Sequence, residues 1–156
     1  FLTMEQTMDI ARWLHVLGVT VWVGGMFFAY MALRPAAVQV LEPPLRLRLW
    51  GETFARFFPW VWIAVVLILV SGLHMLVALG GMHAPAYAWT MFVIGAAMML
   101  IFAHIFFAAY ARLRRAVASA DWPAGGAALG RIRRLVGLNL ILGLVTITVA
   151  TAGRSI

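Results

Sequence analysis

Four long stretches of apolar residues alternate with short polar segments along this chain. The apolar stretches cover about residues 10–33, 57–79, 88–111 and 132–151 and contain almost no charged side chains. Because an α-helix rises 1.5 Å per residue, about 20 to 24 residues cross a hydrocarbon core of about 30 Å. The pattern predicts an all-α integral membrane protein, a single domain over residues 1–156 that folds as an antiparallel bundle of four transmembrane helices.

Prolines and glycines mark where we expect these helices to end. The Arg-Pro pair at 34–35 is expected to stop the first helix, and the Gly-Gly pair at 80–81 is expected to close the second. Residues 36–53 are then a loop that carries a short amphipathic helix. A second loop is expected around residues 121–126, which contain one proline and two glycines.

Positive charge is concentrated in two of the gaps between the apolar stretches. Because cytoplasmic loops retain Lys and Arg, this bias predicts that both termini and the loop around His83 lie on the outer side of the membrane. A net charge of +7 beside apolar spans indicates topology anchors and contact with anionic lipid rather than nucleic-acid binding. Ten of the twelve basic residues lie in these gaps: Arg34, Arg46, Arg48, Arg56, Arg112, Arg114, Arg115, Arg131, Arg133 and Arg134.

Composition narrows the available chemistry. The chain is 65% hydrophobic and contains no Cys and no Lys, which excludes disulfides, thiolate metal sites and Schiff-base chemistry. No Asp or Glu lies within a predicted span, which argues against a carboxylate proton relay. The ionisable groups left for intramembrane chemistry are the imidazoles of His15, His74 and His104.

The expected depths of these histidines in the membrane determine which of them can bind the same metal. His15 lies five residues after Ile10, and His74 lies five residues before Leu79 on the next, antiparallel helix. Both are therefore about 8 Å below the outer boundary, where two neighbouring helices bring them face to face. His104 is about 24 Å below that boundary, which leaves it as the weaker candidate for the same metal.

The face of the first helix that carries His15 also carries small residues. His15, Gly18, Trp22 and Gly25 recur at helical spacing, and the two glycines are expected to leave a groove that suits a flat macrocycle. Arg12 lies one turn outward, where it could pair with a haem propionate. The alternative for these glycines is close helix packing, and the alternative for Arg12 is an interface anchor.

Two further possibilities concern the remaining polar and sulfur-containing residues. Asn139 on the fourth span has a depth similar to that of His104 and could hydrogen-bond to it.

At the outer end of the second span, imidazole and thioether groups cluster in a combination that suits Cu(I): His74, Met75, Met82 and His83. A bound copper ion is therefore the alternative to haem b as the cofactor.

The first helix resembles that of the CopD superfamily. The resemblance rests on Arg-Trp-Leu-His-Val-Leu-Gly at 12–18 and Trp-Val-Gly-Gly-Met-Phe-Phe at 22–28, together with the spacings from His15 to Trp22 and from Trp89 to His104. This superfamily takes in the membrane domain of copper-resistance protein D and the four-helix protoporphyrinogen oxidase of bacteria. At the level of pattern the resemblance covers all four spans.

The two branches imply different functions. The oxidase-like branch implies His15 as a haem b ligand and oxidation of a porphyrinogen. It also has a Lys near the position of Val93 and an Asn-Glu pair near Asn139-Leu140, and this chain has neither the Lys nor the Glu. The copper branch implies a role in copper uptake.

The leading hypothesis from the sequence is a b-type haem protein for electron transfer. His15 and His74 would be axial ligands near the periplasmic face. Because an iron with two histidine ligands has no free coordination site for oxygen or a substrate, electron transfer is favoured. Electrons would pass between a quinol or a periplasmic redox protein and an acceptor. The enzyme alternative is porphyrinogen or superoxide oxidation at the same haem. The transport alternative is copper handling by the outer His and Met residues. Small-residue stretches at 95–97 and 137–143 permit a homo-oligomer.

Overall fold

Four long helices make up the protein. The computed structural model describes residues 1–155, in which α1 spans Met4–Val40, α2 Pro43–Ala78, α3 Ala86–Ala118 and α4 Trp122–Ala152. Each helix is long and apolar enough to cross a membrane, and no strand is present in the described residues. The predicted antiparallel four-helix membrane bundle is therefore confirmed, with helices that extend beyond the predicted spans.

The helix ends follow local capping chemistry. The Thr3 hydroxyl accepts the backbone N–H of Gln6 at 3.2 Å and the Gln6 side chain accepts the N–H of Thr3 at 2.9 Å, which starts α1 with a capping box. At the start of α4, the Asp121 carboxylate accepts the N–H of Ala124 at 3.2 Å. Gly80 has a φ of 113°, a left-handed conformation that ends α2 as predicted.

The expectation that the first helix stops at Pro35 is wrong. The backbone of α1 widens into a π-helical segment at Ala29–Leu33, where the N–H of Arg34 donates to the carbonyl of Ala29. The wider turn accommodates Pro35, which lacks an N–H, and the helix continues to Val40. The predicted loop at 36–53 is thus helical except at residues 41–42.

The expected loop at 121–126 is also mostly helix. Proline is favoured in the first turn of a helix, so Pro123 helps α4 to begin at Trp122. Gly125 is buried inside α4, where a Cβ would lie 3.0 Å from Leu47 Cδ1. This glycine therefore allows α4 to approach α2 rather than forming a turn.

The antiparallel order gives the bundle two different ends. We call the end with both termini and the loop at residues 79–85 the terminal end, and the opposite end, with the α1–α2 and α3–α4 connections, the arginine end. α1 packs along α2 and α3 along α4, while α4 also contacts α1 and α2. A second π-helical segment, Ile105–Tyr110, lies in the arginine half of α3.

The buried core is concentrated in the arginine half. Its largest fully buried side chains are Val61, Ile105, Leu113, Ile132 and Asn139.

Two of the glycines in the small-residue stretch of α4 pack within the chain. A Cβ on Gly137 would lie 3.0 Å from the Tyr30 ring, and one on Gly143 would lie 2.9 Å from Val23 Cγ2. These two glycines therefore serve contact between α4 and α1, whereas Gly95 on α3 faces open space.

Candidate functional site

His15 lies against α2 in the terminal half of the bundle. Its Nδ1 is 3.0 Å from the hydroxyl of Ser71, and a Cβ on Gly72 would lie 3.3 Å from its Cε1. Ser71 is buried, with only 4% of its surface exposed. The absence of a side chain at Gly72 lets the imidazole lie close to the α2 backbone.

The hydrogen bonds of Ser71 favour one tautomer of His15. The Ser71 hydroxyl donates its proton to the backbone carbonyl of Leu67, so towards His15 it acts as an acceptor. This arrangement favours a proton on Nδ1 of His15 and a lone pair on Nε2. A metal-binding histidine has this arrangement, in which one nitrogen is fixed by a hydrogen bond and the other is available as a ligand.

Close packing continues from His15 towards the centre of the bundle. A Cβ on Gly18 would lie 2.8 Å from Ile68 Cγ1 and 3.1 Å from the Ala64 carbonyl oxygen. We refer to the contact of His15 and Gly18 with Ala64, Ile68, Ser71 and Gly72 as the α1–α2 seam. Gly18 serves close helix packing there, as the packing alternative predicts.

Side chains of neighbouring helices occupy the rest of the predicted haem face, apart from a cavity of about 140 Å³ beside Trp22 and Gly25. A Cβ on Gly25 would overlap the ring of Phe57 from α2. Trp22 is 3% exposed and packs edge-on against Phe102 of α3, with ring centroids 6.1 Å apart. A macrocycle lying on this face would have to displace Ile68 and Phe57, so the face as packed does not fit haem.

Arg12 has a partner on its own helix. Its guanidinium forms an ion pair with Asp9 at 3.0 Å, and both side chains are more than half exposed. The pairing of Arg12 with a haem propionate stays a prediction, while the ion pair agrees with the alternative of an interface anchor.

The predicted imidazole and thioether cluster lies at the terminal end. His74 is exposed on α2, and Met75 beside it is half-buried. Met82 and His83 are exposed in the short 3-10 helix Gly81–His83 that follows. The ligand pairing of His15 with His74 is a prediction that the structure leaves open.

Met8 is a candidate ligand that the sequence analysis missed. Met8 and Ala11 precede His15 by seven and four residues, so the three share one face of α1. Met75 follows Ser71 by four residues on the facing side of α2, and both methionines are half-buried. The predicted span began at Ile10 and therefore excluded Met8, whereas α1 begins at Met4. The seven-residue spacing between the thioether of Met8 and the imidazole of His15 was the signal that could have identified Met8.

His104 lies towards the arginine end, far along α3 from the terminal cluster. Its Nε2 accepts a hydrogen bond from the Arg131 guanidinium at 3.2 Å. The suggested bond between His104 and Asn139 is wrong, because the Asn139 amide donates instead to the carbonyl of Met98 at 3.1 Å. Asn139 faces the core, where its amide can reach a backbone acceptor on α3.

Asn139 also lines a partly open cavity of about 140 Å³, together with Trp22, Met26 and Phe58. Within residues 1–155 its carbonyl oxygen is buried without a hydrogen-bond partner. In the same residues, no group of three or more His, Cys, Asp or Glu side chains could hold a metal ion. A metal site with three or more side-chain ligands in these residues would therefore need ligands of another kind, such as thioethers.

Comparison with known proteins identifies the family. The family model described as copper resistance protein D matches residues 51–152, which cover most of α2 and all of α3 and α4. The match does not include α1, so His15 and the motif around it lie outside the matched range. No curated protein and no solved structure matches the chain. Because the family match spans nearly two thirds of the sequence, the protein belongs to the CopD family.

Proposed function

We propose that this protein handles copper in the membrane by binding Cu(I) at its terminal end. Membership of a family described as copper resistance protein D is the observation that carries the proposal. The proposed ligands that first meet the ion are the exposed or half-buried groups of His74, Met75, Met82 and His83. Thioethers are soft ligands that select Cu(I), and imidazole is a common ligand of copper.

From this cluster, the ion would pass to the α1–α2 seam. Met8 and Met75 flank the seam on facing helices, and Nε2 of His15 is the next free donor towards the membrane centre. Each step exchanges one neutral thioether or imidazole ligand for another, so no carboxylate is needed in the bilayer. This sequence of donors supports uptake of Cu(I) rather than of a hard divalent cation, which would prefer oxygen ligands.

The test is a Cu(I) competition titration of the purified protein against a chromogenic Cu(I) chelator. Met75→Leu removes a thioether at almost constant volume and should weaken Cu(I) binding by about tenfold, the equivalent of about 1.4 kcal/mol. Met31→Leu is the matched control, because Met31 is 56% exposed and lies in the arginine half of α1. Equal affinities for the wild type and both variants would exclude Met75 as a ligand.

Haem b bound by His15 and His74 is the second candidate. It would serve electron transfer with a quinol or a periplasmic protein or, as an enzyme, porphyrinogen or superoxide oxidation. The free Nε2 of His15 favours this candidate, whereas the filled face of α1 opposes it. A reduced-minus-oxidised visible spectrum of the purified protein separates the two candidates. A Soret band that is lost in His15→Ala would support haem, and its absence in protein expressed with added haem precursor would exclude it.

For the orientation, we propose that the terminal end faces the periplasm of a bacterial inner membrane. The arginines at the opposite end support this orientation through the positive-inside rule. A reporter fused after Pro85 should be active only outside the cytoplasm, and one fused after Ala120 only inside. The reverse pattern would put the proposed copper ligands on the cytoplasmic side.

A further inference from the structure

A basic cleft opens at the arginine end, far from the proposed copper ligands. It has a volume of about 290 Å³ and lies between the ends of α1, α2 and α4. Within residues 1–155, the side chains that line it include three arginines and no Asp or Glu. The arginines are Arg34, Arg46 and Arg133, and tryptophans on two helices, Trp50 and Trp122, form part of the wall.

Arg46 carries the strongest sign that an anion is bound in this cleft. One terminal nitrogen of its guanidinium donates to the carbonyl of Leu41 at 3.3 Å. Its Nε is buried, and among residues 1–155 it has no hydrogen-bond partner. A buried donor on a cation is costly to leave unpaired, so the site calls for an acceptor with negative charge.

The other arginines of the cleft are also free of carboxylate partners. Arg34 lies over the ring of Tyr30 at 5.0 Å, a contact that leaves its N–H groups able to donate at the edge of the guanidinium. In the described part of the chain, both ion pairs lie elsewhere, at Arg12–Asp9 and Arg56–Glu52. Within residues 1–155, no carboxylate forms an ion pair with the arginines that line the cleft.

The apolar side of the cleft indicates the kind of anion. Val38, Leu129 and Val136 line the cleft beside the arginines, at the end of helices that span the membrane. A ligand that satisfies both parts has a phosphate for the guanidinium groups and acyl chains for the apolar wall. Guanidinium groups bind phosphate oxygens in bidentate geometry, and basic pockets between transmembrane helices are suited to anionic headgroups.

We propose that this cleft binds the phosphate headgroup of an anionic phospholipid in the leaflet at the arginine end. Arg46 holds the phosphate through Nε and its neighbouring nitrogen, and Arg34 and Arg133 complete the charge. This inference does not depend on copper binding, because it uses residues at the opposite end of the bundle.

The experiment is native mass spectrometry of the detergent-purified protein with phosphatidylglycerol, with phosphatidylcholine of the same acyl chains, and with inorganic phosphate. The wild type should retain phosphatidylglycerol in preference to phosphatidylcholine, and inorganic phosphate should not displace it. Arg46→Gln should weaken retention by about tenfold, because one charge-assisted contact is lost. Arg133→Gln tests the same cleft with an exposed residue whose substitution leaves the core untouched.

Arg112→Gln is the matched control, since it removes one exposed positive charge at the same end but outside the cleft. It should change retention by no more than about twofold. Equal weakening in the Arg112 and Arg46 variants would overturn the site in favour of general charge attraction, and unchanged retention in Arg46→Gln and Arg133→Gln would overturn it altogether. Displacement of the lipid by inorganic phosphate would reassign the cleft to a soluble phosphate ligand.

Discussion

The two halves of the bundle are held together by different kinds of contact. In the arginine half, large aromatic rings interlock across α2 and α3. Phe58 stacks on Phe54 at 4.8 Å and meets Tyr110 edge-on at 5.0 Å and Phe102 at 5.4 Å. In the terminal half, the seam between α1 and α2 consists mainly of small and polar groups packed beside Ile68, with His15 bonded to Ser71 as its main polar contact.

Because of this difference, stability depends mainly on the arginine half and ligand binding on the terminal half. Interlocking aromatic rings cannot move independently, so the arginine half fixes the positions of the helices. A seam of glycines, a serine and a histidine holds two helices close while it leaves a nitrogen lone pair free. The exposed imidazoles and thioethers next to it can exchange ligands without disturbing the core.

The largest effect that this comparison predicts is the loss of a ring from the aromatic half. Phe58 is 3% exposed, and its truncation in Phe58→Ala should cost about 3 kcal/mol or more, because the fixed helices cannot close the cavity. The measurement is the midpoint of thermal unfolding in detergent, followed by circular dichroism.

Phe107→Ala is the control for this prediction, because Phe107 is 69% exposed and removes the same atoms from the surface. Its unfolding midpoint should stay close to that of the wild type. An equal decrease of the unfolding midpoint in the two variants would show that the buried aromatic cluster is not what stabilises the bundle.

The fold was predictable from the sequence because membrane burial leaves a strong signal. Apolar stretches longer than the hydrocarbon core give the number and order of the helices directly. Helix ends were harder to predict, because local rules assign breaks to Pro35 and Gly125. In the bundle, a π-helical turn accommodates Pro35 and the Leu47 contact uses Gly125 for packing.

The second prediction concerns the close approach at the seam. Gly18→Ala places a methyl group against Ile68 and the Ala64 carbonyl, and the strain should cost about 1–3 kcal/mol. The same displacement moves His15 away from Ser71 and should weaken Cu(I) binding. Gly24→Ala is the control, since a Cβ at Gly24 meets no atom within 4 Å. Unchanged stability in Gly18→Ala would indicate that α1 and α2 are not held tightly at this point.

The candidate site was only partly predictable, since helical periodicity shows which residues share a face but not what fills that face. The periodicity of α1 grouped His15 with Gly18 and Gly25 but could not show that Ile68 and Phe57 fill the groove between them. Ser71 gave no signal at all, because a serine in a transmembrane helix usually bonds to its own backbone. Its second role, as acceptor for His15, depends on the contact between two helices.

The third prediction tests that role of Ser71. Ser71→Ala removes the acceptor that fixes the tautomer of His15 and should weaken Cu(I) binding by about tenfold, with little change in unfolding temperature. Thr20→Val is the control, because Thr20 is exposed on α1 and its hydroxyl donates to the Val16 carbonyl of its own helix. If Ser71→Ala binds Cu(I) as tightly as the wild type, His15 is a packing residue rather than a ligand.

The smallest predicted effect is at Arg12, where the copper and haem proposals differ most. In the structure, Arg12 pairs with Asp9 at 3.0 Å, and the two side chains are 54% and 66% exposed. An exposed ion pair of this kind contributes about 0.5 kcal/mol or less, so Arg12→Ala should barely change the unfolding midpoint or the affinity for Cu(I). If the guanidinium instead holds a haem propionate, the same substitution removes a charge-assisted hydrogen bond and lowers haem occupancy. A red wild-type protein that loses its Soret band in Arg12→Ala would therefore contradict the copper proposal, because no Cu(I) ligand is altered by this change.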